Sequence, residues 1–298
     1  MTNTSQAVLP SVSSAEARVI QANQGFYRRI AWKYDRYDGS GFDSYLCQVM
    51  RTDLDRIASL HSRPASALHC LDCGGGTGNF AMELLDRGWN VTVVDISAEM
   101  LRLLGTKARS KGHSPTLIHS SIEQFLRSTH DLYDLVGFSS VLHHLYSYVS
   151  VLQTAASRIR PGGFLYSICD PVAPRHPRWT RTLDSLDIAL AKAFFDRADI
   201  LPGIGRRIRK LFMRKDAMFN RAVAGAGDIA EHHVRTGVDD EQVLQLLRER
   251  GFAVLEHARF ATGRTAVVRC LNGRLRLLES FKIMAMRPAE STSGLTLR

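Results

Sequence analysis

An acid followed by alternating glycines, a second acid on the next strand and a pair of adjacent histidines are the chemically loaded parts of this chain. The first lies in Leu71-Asp-Cys-Gly-Gly-Gly-Thr-Gly78, directly after the short apolar run that ends at Asp72. Gly74, Gly76 and Gly78 permit a tight turn and let a ligand approach bare backbone. A loop of this kind usually points to a dinucleotide. Asp72 argues otherwise. A pyrophosphate seated on a helix N-terminus wants positive potential, and a carboxylate at the loop's entrance repels it. The same carboxylate suits a ligand that bears an ammonium group. Asp95 closes the β-branched run Asn90-Val-Thr-Val-Val-Asp95. A carboxylate at that place can accept both hydroxyls of a ribose.

The elements that must position these residues are legible in order. Residues 67–72, 90–95, 116–119, 134–138 and 164–169 read as five strands, and 252–256 and 281–286 as two more. Phe80 to Arg87 has helical spacing. Ser97 caps a helix to about Ser110 with Met100, Leu101, Leu103 and Leu104 inward. Val149 to Ile159 is helical and stops before Pro161-Gly-Gly163. Asp239 to Arg250 is capped by Asp239 or Asp240 and ended by Gly251. Such alternation demands right-handed crossovers and a mostly parallel sheet covered on both faces. Ligands then bind beyond the carboxyl ends of the strands, where the glycine loop lies.

The chain has 298 residues, 45% of them hydrophobic, enough for one large α/β unit. No apolar run reaches eighteen residues, so no membrane-spanning helix is expected. The first residues are polar and lack the basic start and apolar middle of a signal peptide. Residues 1–25 are expected to form a disordered tail, and 289–298 a second one. Cys70 and Cys73 form a lone CxxC among five cysteines, read as two small residues on a buried strand. A reduced, cytoplasmic setting is expected.

These motifs together resemble the class I S-adenosylmethionine-dependent methyltransferases. Leu71 to Gly78 resembles their first motif and Val93-Val-Asp95 their ribose acid. Tyr133-Asp-Leu-Val with Val141-Leu-His-His-Leu145 resembles the fourth strand and its exit. Arg160-Pro-Gly-Gly-Phe164 resembles the turn into the fifth. Ile30-Ala-Trp-Lys-Tyr-Asp35 resembles the N-terminal helix of the ubiquinone/menaquinone-type enzymes, which implies that Tyr34 lies over the cofactor. The resemblance is strong over residues 26–170. It implies a Rossmann-like, doubly wound, seven-stranded sheet with an antiparallel last strand, and S-adenosylmethionine held by Asp72, Gly74, Gly76, Gly78, Asp95 and Ile96. Many relatives hold adenine with an acid after strand three. Here Ser121 stands at that place. Ser121 and the Ile122 backbone are the expected adenine contacts, with Glu123 facing solvent or capping a helix.

Methyl transfer needs alignment above all, which supplies about 7–11 kcal/mol of barrier reduction. A hydroxyl acceptor also needs a base. His143 and His144 are the candidates for that base, the alternative being a purely structural exit turn. Asp170 either touches substrate or turns the chain before Pro171. His232 and His233 side by side would face about 100° apart on a helix, so a shared metal is not expected, and no metal site is assigned.

The net charge of +10 is uneven. Residues 171–221 carry twelve Lys/Arg against five Asp/Glu. Residues 171–236 read as a basic helical lid inserted between residues 26–170 and 237–288 of the core. Ile204, Ile208, Leu211 and Phe212 share one helical face, with Arg206, Arg207, Arg209, Lys210 and Arg214 on the rest. That segment either grips the acceptor, lies on the inner face of a membrane as a peripheral contact, or packs on the core with its cations solvated. A small-molecule or lipid-like acceptor is the expected partner. Nucleic acid ranks lowest, for want of interleaved aromatics. An NAD-linked oxidoreductase on the same sheet, or a non-catalytic adaptor, are the rival readings.

Overall fold

The alternation resolves into a seven-stranded sheet in the computed structural model, which describes residues 14–31, 44–61, 63–173, 187, 237–263 and 265–289. In chain order the described elements are α1 (Ser14–Ile30), α2 (Ser44–Leu60), β1 (His69–Cys73), α3 (Asn79–Leu85), β2 (Asn90–Asp95), α4 (Ala98–Ser110), β3 (Thr116–His119), α5 (Ile122–Ser128), β4 (Tyr133–Ser139), α6 (Tyr148–Ser157), β5 (Ile159–Pro171), α7 (Asp240–Glu249), β6 (Ala253–Phe260), α8 (Ala266–Arg274) and β7 (Ser280–Met286). The sheet order is β3-β2-β1-β4-β5-β7-β6. All neighbours are parallel except β7, which runs antiparallel to both β5 and β6. The expected fold class is thus the observed one.

Both faces of the sheet are covered. One core joins Leu71, Cys73, Val136 and Leu165 to α5, α6 and α7. The other joins Cys70, Val93, Leu135, Phe164 and Tyr166 to α2, α3 and α4. Cys70 and Cys73 therefore sit on opposite faces, each buried and free. Gly137 explains how α3 reaches the sheet. A Cβ there would collide with the Phe80 ring, so the missing side chain seats Phe80 flat on β4, stacked on Tyr166 at 5.8 Å. That contact fixes α3, and hence the loop ahead of it.

Caps follow the expected chemistry. Ser97 Oγ accepts from Met100 N at 3.3 Å and Asp239 Oδ1 from Gln242 N at 3.1 Å. Three expectations change. Within the expected tail of residues 1–25, Ser14–Ile30 begins a helix with a buried Val19 and Asn23, and residues 1–13 lie outside the described residues. Pro161-Gly-Gly163 is not a turn before β5 but a kink within it. Gly162 takes φ +79° and donates to Arg287 O at 2.8 Å, so the strand bends and stays in the sheet. The helix α8, unread from the sequence, is capped by Thr265, whose N–H and Oγ1 both donate to Asp187.

No helix among the described residues is long and apolar enough to cross a membrane. The expected positions of Tyr34, of His232-His233 and of nearly all the basic lid lie outside the described residues.

Candidate active site

The glycine loop leaves β1 beyond the sheet's carboxyl edge, where the switch between β1 and β4 opens a crevice. Gly74 and Gly75 donate to Val94 O at 2.7 and 3.3 Å, and Gly78 donates to Gly75 O at 2.8 Å. Gly74 takes φ +75°, and a Cβ there would collide with Val141. Gly76 takes φ +52° with open space where its side chain would stand. That opening belongs to a cavity walled by the loop, the end of β2, the exit of β4 and one face of α1.

Asp95 braces the loop. Its Oδ2 accepts from Gly76 N at 2.8 Å and its Oδ1 from Ser97 N at 2.7 Å. Burial raises its carboxyl, and these two bonds pull it back. Asp72 is the reverse case. It has no exposed surface, lines the cavity, and neither carboxylate oxygen has a hydrogen-bond partner. Burial, and then the Asp95 charge, push its pKa up to about 8. The Ala81 N–H in the first turn of α3 eases that shift without reaching hydrogen-bonding geometry. A buried orphan carboxylate is costly. Asn23 Oδ1 and Asn79 Oδ1 are two more buried acceptors without donors, on the same cavity.

The donor set therefore fits a particular ligand. Orphan acceptors call for an ammonium and other N–H or O–H donors. A carboxylate with lone pairs to spare beyond its backbone bonds, Asp95, suits ribose hydroxyls. Apolar walls from Ile96, Met100 and Ile122 suit a flat base. S-adenosylmethionine has all three parts.

The cavity wall takes in some of the residues expected from the sequence and leaves others out. Asp72, Gly74, Gly76, Asp95, Ile96 and Ile122 line it. Gly78 does not. It is the left-handed cap of α3, and a Cβ there would meet Leu104 at 2.9 Å, so its bareness serves helix packing. Ser121 also stands outside. Its hydroxyl is the cap of α5, accepting from Gln124 N at 3.2 Å. Glu123, expected in solvent, lines the cavity instead, and burial raises its carboxyl. Helix geometry explains the exchange. Ser121 spends its oxygen on the backbone, and the first turn of α5 carries Glu123 inward.

The histidines part company as well. His144 lines the cavity, but His143 is buried behind it. Their rings lie 3.9 Å apart, centroid to centroid. His143 Nδ1 and its backbone N–H both meet Asp170 Oδ1, at 2.8 and 3.2 Å. Asp170 has no exposed surface and, unlike Asp72, does not line the cavity; burial raises it to about 7 against these bonds. A β-bulge aims it. Cys169 takes φ +69° where the β5–β7 register slips between Ile168 and Asp170. Cys169 packs with Tyr166 and Ile168 on one face, so Asp170 turns to the other, within 3.4 Å of Ser167 Oγ.

Helix α1 completes the wall with Val19, Ile20, Asn23 and Tyr27. Tyr27 Oη lies 2.6 Å from His144 Nε2, and Asn23 Nδ2 donates to His144 O at 3.0 Å. Sequence reasoning missed this helix because its polar composition read as tail. Ser140, a non-glycine residue at φ +57°, also lines the cavity beside His144.

Comparison with known proteins agrees with this geometry. A family model described as a methyltransferase domain matches residues 42–257. The tRNA 5-carboxymethoxyuridine methyltransferase of Escherichia coli K12 is 35% identical over 119 residues, 39% of this chain and 45% of that protein. A ubiquinone biosynthesis O-methyltransferase of Vibrio cholerae is 31% identical over 96 residues, 32% of this chain and 39% of that protein. The chain thus matches less than half the length of these curated relatives. Magnesium protoporphyrin IX methyltransferase from Synechocystis PCC 6803, solved with S-adenosylmethionine bound, shares the fold at 14% identity. Its TM-score is 0.52, over 94% of this chain and 100% of that one. With a family match that takes in β1 to β5 and the glycine loop, the chain belongs to the methyltransferase-domain family, among the class I S-adenosylmethionine-dependent methyltransferases.

Proposed function

We propose that this protein transfers a methyl group from S-adenosylmethionine to a small-molecule or lipid-like acceptor. The observation that carries the reading is Asp72, a fully buried carboxylate without a donor, facing a cavity whose loop is braced by a second acid. When bound, the cofactor supplies an electrophilic methyl group on a sulfonium centre, open to in-line attack. The chain's own work is to hold and exclude. Asp72 pairs with the ammonium, Asp95 takes the ribose hydroxyls, and Glu123 with Ile122 flanks the base. Helix α1 covers the cavity, and Leu145 and Val141 add apolar surface to its wall. Within this reading residues 171–236 form the lid that selects the acceptor, facing a membrane surface or the cytoplasm.

Calorimetry with S-adenosylhomocysteine tests the core of it. Wild-type protein is expected to bind in the micromolar range, and Asp95→Ala to bind at least tenfold more weakly. Absence of binding, or equal binding by both, defeats the reading. Titration with NADH addresses the oxidoreductase alternative, which needs a change in nicotinamide fluorescence.

A second reading, an RNA acceptor, is favoured by the net charge of +10 together with the tRNA-modifying relative. Labelled methyl transfer to bulk tRNA and, separately, to a metabolite and lipid extract decides between them. Label in tRNA alone would replace the first reading with the second.

A further inference from the structure

Four polar side chains from three separate parts of the chain run in line from the cavity into the core. Tyr27, on α1, and His144, after β4, both line the cavity and lie 2.6 Å apart, Oη to Nε2. The His143 ring lies against that of His144, centroids 3.9 Å apart and planes tilted by 47°, and Asp170 holds His143 at 2.8 Å. Among the described residues, the rest of the cavity near the β4 exit is Ser139, Ser140, Val141 and Leu145, with no carboxylate.

We propose that Tyr27 and His144 are the proton-accepting pair of the transfer reaction, and that the acceptor is consequently a hydroxyl, aliphatic or phenolic. The inference rests on the methyltransferase reading of the same cavity. Its logic is chemical. A carboxylate acceptor is already ionised near neutral pH and needs no base. An ammonium acceptor would be met at this end by a carboxylate, which the described residues of the β4 exit do not supply. A hydroxyl must shed its proton as it attacks, and a tyrosine backed by a histidine can take it.

The Asp170 carboxylate accepts from His143 Nδ1–H, which turns His143 into a fixed neighbour for His144. With Nε2 of His144 unprotonated, Tyr27 donates its own proton there and offers an oxygen lone pair to the acceptor. In the transfer, the acceptor oxygen bonds to the methyl carbon. The carbon–sulfur bond breaks, and its electron pair goes to sulfur. The acceptor proton moves to Tyr27 Oη as the tyrosine proton moves to His144 Nε2. The resulting imidazolium returns its proton to water. The charge on His144 is met by Asp170, whose carboxyl it pulls toward the ionised form against burial. Other titratable groups on this cavity are Asp72, Asp95 and Glu123, of which Asp72 and Asp95 are engaged by the cofactor in the parent reading. Tyr27 and His144 are catalytic residues in this scheme; His143 and Asp170 position them.

The test uses full-length protein, radiolabelled S-adenosylmethionine and a combined metabolite and lipid extract from cells lacking the protein. Wild type is expected to yield a product whose label survives mild alkali and leaves as volatile methyl iodide in hot hydriodic acid, the behaviour of a methyl ether. Tyr27→Phe and His144→Gln should each lose about 100-fold or more in kcat. Affinity for S-adenosylhomocysteine should stay within about threefold. The loss should shrink as pH rises, because solvent base takes over. Spectra of 15N-histidine-labelled, S-adenosylhomocysteine-bound protein should show an unprotonated Nε2 on His144, shifted by Tyr27→Phe. Alkali-labile label, label that resists hydriodic acid, or full-rate Tyr27→Phe with an unchanged pH profile overturns the hydroxyl assignment and leaves methyl transfer standing. No labelled product at all overturns both.

Discussion

Asp72 and Asp170 are the same side chain in nearly the same burial, at the carboxyl ends of β1 and β5, yet the protein treats them in opposite ways. Neither has any surface in contact with solvent. Burial lifts one to about 8 and the other to about 7. Asp170 accepts two bonds from His143 and lies near Ser167, all from its own chain. Asp72 accepts none. A buried carboxylate with internal partners is part of the framework. One without them is kept at a cost in stability and suits a cationic donor. In the proposed reading the contrast separates the cofactor end of the cavity from the acceptor end, where the polar groups already hold one another.

The largest effect expected from breaking this contrast is at Asp72. Asp72→Asn should weaken S-adenosylhomocysteine binding by about 100-fold or more, the usual loss when a desolvated ion pair loses one partner. Calorimetry measures it. Asp170→Asn should leave that affinity within about threefold and lower the transfer rate by about tenfold, because it acts only through the histidines. If the two variants behave alike in the binding assay, the separation of the two ends fails.

The pH dependence sharpens the same point. At pH 7 the empty site holds Asp72 mostly protonated, since its pKa is about 8. An ammonium needs the ionised form. Affinity should therefore rise about tenfold per unit of pH up to about 8 and then level off, with close to one proton released on binding. Calorimetry in buffers of different ionisation enthalpy reads that proton, and Asp72→Asn should abolish the slope.

Stability of the empty protein should move the other way. The folded state binds a proton on each of these acids more tightly than the unfolded chain, whose carboxyl titrates near 3.8. Across the window from about 4 to 8 the native state thus holds more protons, and stability falls as pH rises. Thermal melts should show a lower Tm at pH 9 than at pH 5. Asp72→Asn should reduce the drop, gaining on the order of a few kcal/mol at pH 9. Saturating S-adenosylhomocysteine should flatten the wild-type curve by favouring the ionised folded form.

The smallest effect is at the bulge. Cys169→Gly should stabilise by about 1 kcal/mol, by relieving a left-handed residue, with transfer unchanged.

How much of this was legible in the sequence depended on how local the signal was. Ser97 and Asp239 cap their helices where expected because a cap is a short-range bond between a side chain and a backbone three residues on. The cofactor end was legible for the same reason. Asp72, the loop and Asp95 sit at strand ends that β-branched and glycine residues mark directly. Ser121 was misassigned because a serine after a strand serves equally as a cap or a ligand contact, and only the course of α5 chooses. Glu123 and Gly78 were misplaced by a single turn of backbone.

The acceptor end was illegible for a physical reason. Tyr27, His143, His144 and Asp170 are brought together by α1 folding over the sheet and by one extra residue in β5. Neither a polar helix nor a bulge announces itself in composition. By itself, then, the sequence determined the parallel sheet, the adenosyl-type loop and the two acids that frame it, because these follow from backbone preference and strand-end position. The tertiary structure alone decided which histidine faces the cavity, what stands opposite it and which way Asp170 points, because those depend on contacts between residues more than one hundred positions apart.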